Sequence, residues 1–304
     1  MTQLLRRILA SGARRIDRHT AGPRNRLADR AYRRDPGAWL DRIDRAIERA
    51  HDWLAPQRDV SMSVLFAAKR SMARGIDERF AFVDARLEHY RQTVRDPALR
   101  MFDAEYDPDM PPWRDVPDVM QVRPYVPIEL LMLDAVWADQ RRQPDILDRL
   151  RAFDDGGYYG TTHIVFGGHL LLANGGAPAD ETLALVESVI DSVAAANDRT
   201  SRADDIFAER IMMLGWHGRH DLIRPAWIIR LLASQRGDGG WASANFPPWD
   251  GSNQHTTIAA MTALAEFRAA ELGRAPAFRA DELRDLRSTR RTAAASTGCG
   301  RWPP

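Results

Sequence analysis

Cysteine is nearly missing from this chain: Cys299 is the only one in 304 residues. That excludes an intrachain disulfide and a cysteine-rich structural zinc site, and it favours a cytoplasmic protein. Lysine is as scarce, with Lys69 alone, so arginine carries the positive charge. Acids and bases nearly cancel to a formal net charge of +1. No whole-molecule field is left to recruit nucleic acid, and none is expected as a partner. No run approaches the roughly 20 apolar residues of a spanning helix, and the N-terminus lacks the apolar core and small-residue cleavage site of a signal peptide. Sustained alternation of apolar and polar residues is missing too, which argues against strands and for an all-α fold.

What the chain does have is apolar content, 44% of its residues, enough to bury one large core. Over residues 36–55 Trp39, Leu40, Ile43, Ile47, Ala50 and Leu54 recur at helical steps, and over 75–94 Ile76, Phe80, Val83, Leu87 and Tyr90 do the same. Helical patterning resumes at 128–138, 145–153, 162–174, 180–196, 203–216, 221–235 and 255–268. Prolines at 108, 111, 112, 117, 124 and 127, among several aspartates, predict a long loop. The expected organisation is an N-terminal helical region over 1–100, a Pro/Asp-rich loop over 101–127, helical repeats over 128–287 and a flexible tail over 288–304. Residues 2–18 set Leu4, Leu5, Ile8, Leu9 and Ile16 against five arginines. Such a helix docks on its own domain or lies peripherally on an anionic membrane surface.

One unit occurs twice. Asp154-Asp155-Gly156-Gly157-Tyr158-Tyr159 leads through Thr161-Thr162-His163 into an apolar helix. Gly237-Asp238-Gly239-Gly240-Trp241 is followed by His255-Thr256-Thr257 and another. Glycines after a helix can take the left-handed conformation that closes it, the aromatic can fold back on that helix, and the threonines can cap the next. A spacing of about 83 residues between the glycine pairs corresponds to two helical hairpins.

Gln235 to Trp241 fits the Gln-x-x-x-Gly-x-Trp core of the QW motif, and this stretch resembles squalene and oxidosqualene cyclases. His255 to Ala260 resembles the inner helix that follows in cyclases, which in protein prenyltransferase β subunits carries a zinc-ligating histidine. The resemblance covers residues 224–267 well and 154–172 weakly. It implies an α/α toroid of paired helical hairpins, here a reduced or incomplete barrel with an N-terminal helical extension, whose inner helices run parallel. The Asp-x-Asp-Asp acid of class II cyclases is absent, as is a cysteine for the prenyltransferase zinc site.

In such a toroid His163 and His255 face one mouth, where imidazoles can act as acid or base. Asp154 and Asp155 are the candidate carboxylic acids, raised in pKa by an apolar wall; the plainer alternative is a turn. Tyr158, Tyr159 and Trp249 are candidates to line the substrate pocket through their π faces, with Asn253 beside them. His217 and His220 could be a metal pair or a helix C-terminal feature. Asp204-Asp205-Ile206-Phe207-Ala208-Glu209 resembles the magnesium motif of class I terpene synthases, but without a second motif downstream a solvated helix face is the expectation. No metal ligand set is assigned, no cofactor is required, and a divalent metal stays an alternative. The leading expectation is an enzyme acting on a hydrophobic, isoprenoid-like substrate by acid/base chemistry in a central cavity. The alternatives are a polysaccharide lyase or epimerase, with Tyr158 or Tyr159 as base and His163 or Asn253 as neutraliser, and a non-catalytic helical scaffold.

Overall fold

The computed structural model describes residues 21–57, 60–93, 97–102, 144–152, 160–174, 179–200, 202–242, 251–279 and 281–282. It is all-helical: among the described residues the only extended pairing is an isolated antiparallel bridge between Trp241 and Asn253. Helix α1 runs over residues 21–34. It is followed by α2 (Pro36–Leu54), α3 (Met62–Ala73), α4 (Phe82–Thr93), α5 (Pro144–Ala152), α6 (Gly160–Asn174), α7 (Ala179–Asp198), α8 (Asp205–Trp216), α9 (Pro225–Ser234) and α10 (Gln254–Glu271). Short 3-10 turns at Glu78–Ala81, Pro97–Met101 and His220–Leu222 join some of them. The patterned stretches 2–18 and 128–138 lie outside the described residues.

Local chemistry sets the helix starts. Asp35 accepts from the Ala38 amide at 3.0 Å with Pro36 behind it, and α2 buries Ile43, Ala46, Ile47, Ala50 and Leu54. Asp204 caps α8 through the Phe207 amide at 3.2 Å. Asn253, rather than a threonine, caps α10 through the Thr256 amide at 2.8 Å. At α9 the expected start at Asp221 gives way to the His220–Leu222 turn, and Pro225 opens the helix.

The glycine-and-tryptophan unit closes α9 onto its neighbours. Gly239 sits at φ +99°, and a Cβ there would meet the Arg49 carbonyl oxygen at 2.4 Å, so only glycine fits. Gln235 Nε2 donates to Ala46 O and Gly239 O, both at 2.8 Å. The buried Trp241 folds back to donate Nε1–H to Leu231 O at 2.9 Å, while its amide donates to the Thr257 hydroxyl at 3.0 Å. Thr257 therefore staples Trp241 to α10.

Four helices, α3, α6, α8 and α10, run in the same direction. Near their starts the Ser61 amide donates to Gln254 Oε1 at 3.1 Å and the Thr162 hydroxyl to Glu209 Oε2 at 3.1 Å. Near their ends Arg74 Nε lies 3.3 Å from Glu266 Oε1 and His169 Nε2 lies 3.0 Å from His217 Nδ1. Helix α7 connects α6 to α8 and packs on both, and α9 connects α8 to α10. Helices α2 and α3 both pack on α10. Between α3, α6 and α8 the space is filled by Phe66, whose ring lies 4.9 Å from Phe166 and 5.9 Å from Trp216. Among the described residues no helix is long and apolar enough to cross a membrane.

Candidate active site

Every residue of α8 is buried, including Asp205 at 6% exposure and Glu209 at 4%. A four-residue interval puts two side chains on one helix face, and here that face points at the start of α10. His255 Nδ1 lies 2.9 Å from Asp205 Oδ1, and its Nε2 lies 3.3 Å from Glu209 Oε1. The Thr256 hydroxyl donates to the same Asp205 oxygen at 2.8 Å. From α6 the Thr162 hydroxyl donates to Glu209 Oε2 and also meets His163 Nδ1 at 3.3 Å. The acids are buried, but the His255 side chain is 42% exposed and forms the open side of the cluster.

Burial pushes the Glu209 carboxyl up from the ordinary glutamate range, and the Asp205 charge pushes the same way. The His163 and His255 imidazoles and the Thr162 hydroxyl pull against that rise without cancelling it. Burial likewise raises Asp204, against its cap bond to Phe207. Because a neutral imidazole carries one N–H, two carboxylates facing the two nitrogens of His255 require a second proton in the cluster, on the ring or on an acid. Glu209 is the acid whose burial favours holding it.

The His163 and His255 imidazoles therefore both lie near enough to Glu209 to act on its charge. Asn253 stands at the same helix start with its Oδ1 committed to the α10 cap. Asp154, Asp155, Tyr158, Tyr159 and Trp249 lie outside the described residues. The solvated face expected for Asp204 to Glu209 is corrected: Asp205 and Glu209 point inward, where α6 and α10 cover them. The available signal was their four-residue spacing in a helix whose only other charged residue is Arg210. His217 and His220 do not converge, since His217 bonds His169 and Glu187 while His220 bonds Glu266.

Asp205, Glu209 and His255 each offer one ligand atom, all within 4.8 Å of one another. Donors sharing one ion through bonds of roughly 2.1 Å lie about 3 Å apart, so a modest closure would let two carboxylate oxygens and one imidazole nitrogen hold a divalent cation. Comparison with protein-family models, curated proteins and solved structures found no match for the chain.

Proposed function

We propose that the chain is a reduced α/α toroid enzyme acting on a hydrophobic, isoprenoid-like substrate by acid/base chemistry at the Asp205–Glu209–His255 cluster. The observation that carries the reading is a buried carboxyl with a raised pKa 3.3 Å from an imidazole that a second carboxylate orients. Four co-directional helices with return helices packed on them support the toroid, and Trp241 folds back on its own helix as the glycine-and-aromatic unit predicts. Because Phe66, Phe166 and Trp216 fill the space farther along the inner helices, the reaction belongs at their starts.

Glu209 is the proton donor, its protonated form favoured by burial. His255, oriented through Nδ1 by Asp205, presents Nε2 to Glu209 and takes up there the proton that restores the acid, and His163 adds a second imidazole. Activity that needs protonated Glu209 is present at low pH and falls as pH rises through its elevated pKa. A groove of about 390 Å³ lined by Trp39, Arg42, Arg45 and Arg49 contains none of the cluster residues, so it does not favour a polysaccharide substrate at this site.

The ligand-atom spacing favours a second reading, in which Asp205, Glu209 and His255 hold a divalent cation that acts as a Lewis acid. The test is to incubate the purified chain with isoprenoid hydrocarbons, epoxides and diphosphates and follow products by mass spectrometry, with and without added divalent metal. Glu209→Gln and His255→Gln should each lower turnover by roughly 100-fold or more. Turnover untouched by chelation supports the first reading, and turnover lost on chelation and restored by metal supports the second. Turnover that survives both substitutions overturns the site assignment, and absence of turnover across the whole panel overturns the substrate class.

A further inference from the structure

At the opposite pole, where α3, α6 and α8 end, lies a second polar cluster that the proposed reaction does not use. We propose that this pole is a carboxylate-binding latch for the chain's own Phe278 and Glu282, and that it opens when the His169–His217 pair takes up a proton. The latch consists of two guanidiniums around one carboxylate. Arg70 donates from Nε and Nη2 to Glu282 Oε1 at 3.0 and 2.5 Å, and Arg74 Nη1 donates to Oε2 at 2.6 Å. Phe278 stacks on His169 at 4.7 Å and packs on His217 at 4.8 Å.

The trigger follows from the direction of the hydrogen bonds. A guanidinium only donates, so Arg70 Nη1, 3.0 Å from His169 Nδ1, makes that nitrogen an acceptor. His169 must then donate from Nε2 to His217 Nδ1 at 3.0 Å, and His217 from Nε2 to Glu187 Oε1 at 2.9 Å. Both rings are thereby held neutral with the hydrogen on Nε2, and every ring nitrogen is used. One more proton creates a donor-to-donor contact, between the rings or at Arg70, and in either case a new cation beside Arg70. Displacing Arg70, which the Trp216 carbonyl and ring otherwise hold in place, leaves Glu282 on Arg74 alone and loosens the latch.

The other charged groups do not remove this conflict. Arg74 is a further cation; Glu266 is engaged by Arg74 at 3.3 Å and by His220 at 2.9 Å; Arg219 lies 3.9 Å from Glu187. Glu187 favours a charged His217, but its side chain is 50% exposed and water weakens its pull. Burial and then Arg70 hold His169 well below the ordinary histidine range, and burial lowers His217. The chain stays locked at neutral pH, and proton uptake belongs below about pH 6.5.

Hydrogen exchange of the intact protein at about pH 7.5 and about pH 5, corrected for the intrinsic pH dependence of exchange, tests the latch. Peptides spanning 274–282 should exchange roughly tenfold faster at the lower pH while peptides from α8 stay protected. Glu282→Gln should open the segment at both values, and His169→Gln should remove the pH response. An indifferent segment, equal acceleration throughout the molecule, or a response that survives His169→Gln overturns the proposal. Should that variant not fold, imidazole ¹⁵N spectra of the wild-type chain decide. Two Nε2–H rings whose titration coincides with the exchange change support the latch, and titration without that change overturns it.

Discussion

A carboxylate withdrawn from water must be bonded, paired or protonated. Glu209 meets this requirement through Thr162, His255 and its own raised pKa. Because its folded pKa lies above the unfolded value, the stability linked to it is present at low pH and fades as pH rises through the folded pKa. Glu209→Gln is therefore expected to be stabilising by about 1 kcal/mol in mildly alkaline solution while lowering turnover, and denaturant titration across pH checks the stability. The histidine pair has the opposite sign: its folded pKa values are depressed, so unfolded chains bind more protons below about pH 6.5 and stability falls with acid. Melting curves should show that slope in the wild type and a shallower one in His217→Gln. The two imidazoles of the candidate site were legible because each follows a repeated unit. Asp205 and Glu209 were less so, because spacing shows which face two acids share but not whether that face meets water.

Among the elements, those with one polar face announced themselves and those without did not. Helix α2 shows its buried stripe plainly, whereas α3 buries Val64 through Ala68 together with Arg70 and Ser71, leaving no regular polar face to read. That is why a helix of the co-directional set has no counterpart in the periodicity of the sequence. The α9–α10 connection was the most legible element, since glycine, tryptophan and glutamine each have a geometric duty there. Gly239→Ala combines a left-handed backbone with a carbonyl contact at 2.4 Å and should lower stability by about 3 kcal/mol. Trp241→Phe removes a donor from Leu231 O and loses packing volume in a buried site, which should cost about 2 kcal/mol. Chemical denaturation of the two variants measures both, and a neutral Gly239→Ala would contradict the assigned backbone.

Across the molecule one apolar cluster runs from Tyr32 through α2, α3 and α6 to α8 and α10. Helices from the first hundred residues pack directly on α10, so the described body should unfold as one cooperative unit. Calorimetry is expected to give a single transition with matching calorimetric and van't Hoff enthalpies, and two separated transitions would show independent halves. The shared heading of α3, α6, α8 and α10 has an electrical consequence. Each helix behaves as if it carried about half a positive charge at its start and half a negative charge at its finish, so among these four like ends meet, and only the return helices outside them oppose the sum. Asp205 sits where the positive ends gather, and Arg70 and Arg74 where the negative ends gather. The molecule is close to neutral overall, yet its fold builds an internal axis that the side chains at each extremity are placed to balance.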